Sequence, residues 1–253
     1  MEPINIFNIR LYPLRRAEFI SIIRSNLRNG NQTVQFGVNS ATVNDIVRNE
    51  EYGLAVANAD LLNIDGMSVV WALRFLGYTV PERVATPDLA EGILRMAEKE
   101  NFSVFFLGAK ETVLLSCRNR LQENMPGLKI AGCRNGFYKP EEEQSIVDLI
   151  NQANPDILLI GMSSPKKELF CQLNRNSIRA KYILGVGGYF DILSGYTKRA
   201  PRWMQNIGME WFFRFVQEPR RMWRRYLIGI NQFFWIVLKE KFRKRRKDKL
   251  TNQ

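Results

Sequence analysis

Asp65 stands in NIDGMSVVWALRFLG, directly after an apolar run and before a helical pattern. A carboxylate there could take the proton from an attacking hydroxyl, and Gly66 beside it allows close backbone approach. Spacing alone leaves a second reading open, because Asp is also a preferred helix N-cap. Asn39 and Ser40 follow another apolar run, which ends at Val38. Asn39 could hold a substrate hydroxyl while Ser40 caps the next helix, and capping alone would explain the pair as well. Arg83, in PERVATPDL, is a fixed cation in a loop before a helix expected to begin near Asp88. A guanidinium suits bidentate recognition of a diphosphate, although a surface arginine would look the same.

Two glycine-bearing stretches also follow apolar runs. In GVGGYFDILSG, residues 185–195, glycines 187 and 188 would let backbone N–H groups approach a phosphate or ribose, and Asp191 could accept ribose hydroxyls. FLGAKE, with Gly108, gives the same strand, glycine, helix order. Neither is a GxGxxG or a P-loop, and a structural turn explains each nearly as well. Histidine is absent from the chain. Ser-His-Asp and Cys-His mechanisms, HExxH zinc sites and a histidine base are thereby excluded. Proton transfer is left to carboxylates, Lys, Tyr or water. Cys117, Cys133 and Cys171 are far apart and form no metal-ligand spacing, as expected of plain thiols in a reducing compartment.

These residues need a scaffold that brings strand ends together. Short continuous apolar runs at 32–38, 59–64, 102–107, 128–133, 156–161 and 181–186 read as strands covered on both faces. Helical patterns lie between them near 15–29, 41–49, 67–76, 88–100, 110–124, 141–153 and 165–177. The helix from 141 follows Pro140 and opens with three glutamates, which complement its dipole. The alternation predicts an α/β fold, a mostly parallel sheet flanked by helices (Rossmann-like), with ligands bound beyond the carboxyl ends of its strands.

Charge divides the chain. Residues 198–253 hold 16 Lys and Arg against 4 Asp and Glu, while residues 1–197 hold 21 of each. A neutral catalytic body over 1–197 and a cationic, aromatic helical appendage over 198–253 are therefore expected. The appendage carries 11 of the 29 aromatic residues, and helices are expected at 201–217 and 220–246, broken near Pro219. Its run YLIGINQFFWIVL leads into KEKFRKRRKDK, too short and polar to span a bilayer but suited to lying in an anionic interface. The N-terminus lacks the apolar core of a signal peptide. The expected location is cytoplasmic, peripheral on the inner face of the cell membrane. A non-catalytic nucleotide- or RNA-binding protein would explain the basic tail and the glycine turns too. No recognisable RNA-binding module supports it, and nucleic acid is not the expected partner.

Three blocks resemble one family: NIDGMSVVWALRFLG running into PERVATPDL; FFLGAKE with GFYKPEEE; and GVGGYFDILSGYTKRAPRWMQNIGMEWFFRFVQEPRRMWRRYL. Over nearly the whole chain the sequence resembles the WecG/TagA/CpsF glycosyltransferases of bacterial surface-polysaccharide synthesis. The resemblance implies an inverting transfer from a UDP-sugar, with no metal or other cofactor, onto an undecaprenyl-diphosphate-linked saccharide. The sugar would be N-acetylmannosamine, N-acetylmannosaminuronic acid or another hexose. Asp65 would be the base, with Arg83 and Asn39 in the same pocket. Gly108, Gly187, Gly188 and Asp191 would border the nucleotide, and Arg214, Arg221 and Arg224 would reach the site once the appendage docks at the membrane. Relatives can also self-associate, so a homo-oligomer is a further expected partner. Two positions depart from the pattern. Lys167 stands where many relatives carry glutamine, and Gly37 stands where they often carry threonine, and the resemblance implies that substrate is contacted at both positions.

Overall fold

The computed structural model describes residues 2–217, 219–223 and 228–251, with the side chains at 206, 221, 222 and 245–251 outside that description. The chain opens on an antiparallel hairpin, β1 (Ile4–Ile6) and β2 (Ile9–Leu11), turned by Phe7 and Asn8 at φ 54° and 61°. Both turn residues are left-handed, the conformation that matches strand twist in a tight hairpin. The sequence reading missed this hairpin, because neither residue is the glycine that such turns usually advertise. The Tyr12 N–H donates to the Leu62 carbonyl at 3.0 Å, so the segment after the hairpin lies along an edge of the main sheet.

That sheet has six strands: β3 (Thr33–Val38), β4 (Leu61–Ile64), β5 (Ser103–Gly108), β6 (Lys129–Arg134), β7 (Ile157–Gly161) and β8 (Tyr182–Gly185). Every pairing is parallel, in the order β4-β3-β8-β7-β5-β6. The expected strands are present within about two residues, and the fold is the α/β, Rossmann-like class expected. Side chains alternate between two cores as strand geometry requires. Val34, Phe36, Leu158 and Ile160 face one core, and Val104, Phe106, Leu159 and Leu184 face the other. The first core packs against helices α2 (Ser40–Arg48), α3 (Glu50–Ala57), α4 (Met67–Phe75), α7 (Glu143–Ala153) and α8 (Lys166–Asn174). The second packs against α1 (Arg16–Asn29), α5 (Thr86–Glu100), α6 (Glu111–Asn124) and the short α9 (Tyr189–Leu193). Helices α3 and α9 were not expected. Asn49 ends α2 and caps α3 with its side chain, so two helices abut where one was read.

β3 and β8, the first and last strands of the sheet, are neighbours, so the loops that leave them open side by side at the carboxyl edge. A buried file of polar side chains runs across β8, β3 and β4. The Tyr182 hydroxyl donates to Gln35 Oε1 at 2.9 Å, Gln35 Nε2 to Asn63 Oδ1 at 3.1 Å, and Asn63 Nδ2 to the Val84 carbonyl at 2.7 Å.

The tail is more broken than its pattern suggested. The helix expected over 201–217 is two, α10 (Arg202–Asn206) and α11 (Glu210–Gln217), because Gly208 at φ 79° turns the chain between them. Pro219 then opens α12 (Pro219–Trp223), and α13 (Gly229–Thr251) follows. α13 lies on α2, burying Phe233 and Val237 one turn apart in the first core, with Phe233 6.2 Å from the Phe7 ring centroid of the hairpin. Lys241 and Lys244 donate to the Phe75 and Leu76 carbonyls at 2.8 and 3.0 Å, cations on the carbonyl end of α4 where its dipole favours them. Arg199 grips α5 and α11 together, forked onto Asp88 and 3.3 Å from Glu210. No helix among the described residues is long and apolar enough to cross a membrane.

Two outcomes follow from this packing. A Cβ at Gly161 would lie 2.3 Å from the fully buried Phe190 ring, so Gly161→Ala should cost about 2–3 kcal/mol in urea unfolding. Burial alone would push the Asp88 carboxyl up, but the hydrogen bond and charge of Arg199 outweigh it and hold it below its ordinary value. A depressed carboxyl stabilises above its unfolded pKa and ceases to as it protonates. The α5–α11 contact should therefore loosen as pH falls below about 4, read as a change in tryptophan fluorescence that Asp88→Asn abolishes.

Candidate active site

A cleft of about 1040 Å³ opens at the carboxyl edge of the sheet. Its floor comes from the segments after β3, β4, β7 and β8, and its walls from α4, α11 and α13. Of the residues expected in the site, it gathers Asn39, Asp65, Arg83, Lys167, Gly187, Gly188, Asp191 and Arg214. Gly108 is not in its lining. Arg221 lies in α12 with its side chain outside the described residues, and Arg224 lies wholly outside them.

Asp65 does not cap the helix that follows it. The N-cap of α4 is Gly66, and no side chain bonds there. Instead Asp65 Oδ1 accepts the Thr86 backbone N–H at 2.7 Å, in the first turn of α5. The backbone N–H groups of Asp65 and Gly66 both donate to the Val38 carbonyl, at 3.0 and 3.2 Å, which pins the β4 loop against β3. The carboxylate is thus steered by a helix N-terminus more than twenty residues away while it borders the cleft. That N-terminus begins at Thr86, two residues before the expected start.

Asn39 supplies the cap of α2 that Ser40 was expected to give. Its Oδ1 accepts the Ala41 and Thr42 N–H groups at 3.0 and 3.3 Å, and Thr42 closes the reciprocal bond. Capping does not remove it from the cleft wall. The glycine at 37 has a local cause. A Cβ there would sit 2.0 Å from Thr86 Oγ1 and 3.1 Å from Asp65 Cβ, so the space for a side chain at 37 already holds the Thr86 hydroxyl.

Arg83 is ion-paired. Its guanidinium lies 3.1 Å from Glu210 Oε2, with both side chains largely buried. Glu210 thus bridges Arg83 of the body and Arg199 of the tail. Lys167 bonds Ser164 Oγ and the Glu168 carboxylate, which also accepts the Ser164 hydroxyl at 2.8 Å and the Tyr52 hydroxyl at 3.3 Å. Burial, and then the charge of Glu168, hold the Tyr52 phenol well above its ordinary pKa, so it remains a donor. Lys167 consequently reaches the cleft as half of an ion pair rather than as a lone charge.

The glycines separate by cause. Gly187 has φ 54° and open space where a side chain would be, and Gly188 opens α9 with Asp191 in its first turn. Backbone N–H groups can be approached there. Gly108, at φ 133°, is a glycine because a Cβ would lie 2.4 Å from the Gly161 backbone of the neighbouring strand, which is a packing requirement. Among the described residues, no group of three or more His, Cys, Asp or Glu side chains is placed to hold a metal ion.

Sequence reasoning did not find Glu210, Thr86, Glu168 or Tyr52. Each works through a partner distant in sequence. The one legible hint was the acidic residue in GMEWFFRF at the head of an aromatic, amphipathic segment.

Comparison with known proteins gives the family. A family model described as "Glycosyl transferase WecG/TagA/CpsF family" matches residues 4–247. A relative from Bacillus spizizenii, an N-acetylglucosaminyldiphosphoundecaprenol N-acetyl-beta-D-mannosaminyltransferase, is 31% identical over 195 residues, covering 77% of this chain and 74% of its own. A protein of the same name from Bacillus subtilis is 30% identical over 199 residues, covering 79% and 76%. With its parallel sheet, the cleft at that sheet's carboxyl edge and a match spanning almost every residue, the chain belongs to the WecG/TagA/CpsF family of glycosyl transferases.

Proposed function

We propose that the chain transfers a hexose, an N-acetylmannosaminyl group or a close relative of it, from a UDP-sugar to a polyprenyl-diphosphate-linked saccharide, with inversion. The acceptor class is argued from the names of the two Bacillus relatives, which act on N-acetylglucosaminyldiphosphoundecaprenol. The observation that carries the reading is the carboxylate of Asp65, held through one oxygen at the α5 N-terminus and bordering a cleft that also holds Arg83 and Arg214.

In the proposed step, Asp65 takes the proton of the acceptor hydroxyl as its oxygen attacks the anomeric carbon. The bond from that carbon to the UDP oxygen breaks on the opposite face, and the diphosphate departs with the electron pair. Arg83, Arg214 and the N–H groups around Gly187 and Gly188 would stabilise that negative charge. Asp191 would accept ribose hydroxyls and Asn39 would hold a sugar hydroxyl. Arg83 reaches this task paired with Glu210, so the incoming diphosphate would share or replace that carboxylate.

The tail supplies the proposed location. Trp203, Trp223 and Trp235 are exposed on helices that also carry the cationic excess, as an element lying in an anionic interface requires. The body over 1–197 would then work at the inner membrane face, where its lipid-linked acceptor is found. Without lipid, the same apolar face offers a surface for self-association.

The first test is UDP release from a panel of UDP-sugars with a polyprenyl-diphosphate saccharide acceptor. Asp65→Asn should lower acceptor-dependent release about 10³-fold. Equal release by both proteins would remove Asp65 from the mechanism. A tail deletion would also strip Phe233 and Val237 from the core, so the tail's part in chemistry is better tested by Arg214→Ala. That substitution should lower kcat about 10²-fold on a detergent-solubilised acceptor, and a wild-type kcat would remove Arg214 from the mechanism.

A further inference from the structure

One stretch of the cleft lining is large, apolar and exposed. On α4, Val69, Val70, Ala72 and Leu73 are buried in the body, whereas Trp71 and Phe75 are 51% and 54% exposed. These two are one helical turn apart and share a face. The tail repeats the arrangement. Ile230 and Phe234 are also one turn apart on α13, with Phe234 58% exposed, and Trp211 joins them from α11. All five side chains line the same cleft as Asp65 and Arg83. Single exposed apolar residues are ordinary on a protein surface, but five large ones from three elements around one opening are not. Lys241, outside the cleft lining, places its ammonium 4.8 Å from the centre of the Phe75 ring.

We propose that Trp71 and Phe75, with Ile230, Phe234 and Trp211 of the tail, form a binding groove for the first isoprene units of the acceptor's polyprenyl chain. The proposal rests on the transferase reading above and adds the part of the acceptor that reading leaves unplaced. An acceptor of the class named for the Bacillus relatives is a sugar, then a diphosphate, then a long branched hydrocarbon. The cleft offers matching chemistry for both ends of that acceptor: the Asp65 carboxylate for the sugar hydroxyl and an apolar wall for the hydrocarbon. An aromatic wall gains from the area it removes from water, whatever the register of the chain, and that suits a repeating ligand. The groove would thus let the enzyme read the lipid directly instead of merely meeting it at a membrane.

The test compares two soluble acceptors with the same sugar-diphosphate headgroup, one ending in methyl and one in farnesyl, below the micelle threshold and without membrane. In wild type, kcat/KM should favour the farnesyl acceptor at least tenfold, mostly through KM. In the double variant Trp71→Gln, Phe75→Gln the ratio should fall toward one, while Trp71→Phe should retain most of it. The ratio is internal to each preparation, so a fraction of misfolded protein cancels. A wild-type ratio near one, or a ratio unchanged in the double variant, overturns the groove and leaves the transferase standing. An unchanged ratio with lost binding to phosphatidylglycerol vesicles would make this face a membrane anchor. An unchanged ratio with loss of self-association would make it an interface between copies. No turnover of either acceptor by wild type, with any UDP-sugar, would remove the transferase reading and the groove with it.

Discussion

The file of hydrogen bonds from Tyr182 through Gln35 and Asn63 to the Val84 carbonyl is the constraint on which the site depends. These side chains lie inside a sheet whose buried side chains are mostly hydrocarbon, and a buried polar group left unpaired costs about 1–3 kcal/mol. Satisfying all of them at once allows one register between β8, β3 and β4, and one path for the loop ahead of α5. Asp65 lies two residues beyond Asn63, and Thr86 two beyond Val84. Their 2.7 Å contact is therefore set from below. An apolar core would tolerate small slips between these strands, whereas a saturated polar file does not.

Above that floor, three cations in or beside the cleft are held in pairs. Arg83 meets Glu210, Arg199 meets Asp88 and Glu210, and Lys167 meets Glu168. Pairing keeps partly buried cations from bearing an uncompensated desolvation cost before a ligand arrives. It also joins the tail to the site, since Glu210 and Arg199 belong to the segment after the sheet while Arg83 and Asp88 flank the start of α5. The charge boundary near residue 198, so plain in composition, is bridged by these ion pairs.

Much of the scaffold was legible for one reason: strands buried on both faces need continuous apolar runs, and six such runs stand out. The hairpin was not, because Phe7 and Asn8 adopt left-handed turns without glycine. The α2–α3 junction was hidden by Asn49, which serves both helices. Position after a strand was enough to nominate Asp65, Asn39 and the Gly187–Gly188 turn. It could not say that Asp65 answers to α5 rather than α4, or that Thr86 fills the space above Gly37, because both depend on segments that meet only in three dimensions. Gly108 shows the converse limit, since a glycine demanded by a neighbouring strand reads the same as one demanded by a ligand.

The ring pair of Phe7 and Phe233 has a kinetic meaning. The hairpin, α2 and α13 share one core, yet α13 follows the hairpin by some two hundred residues. Contacts of such sequence separation form late, because the loop they close carries the largest entropic cost. During synthesis the sheet can assemble while this corner stays bare, with the Phe7 ring and the α2 surface waiting for a partner that has yet to be made. The part of the cleft lining that comes from α11 and α13 is then made only after the sheet that carries Asp65. An incompletely made chain would carry the carboxylate of Asp65 but not the enclosure around it.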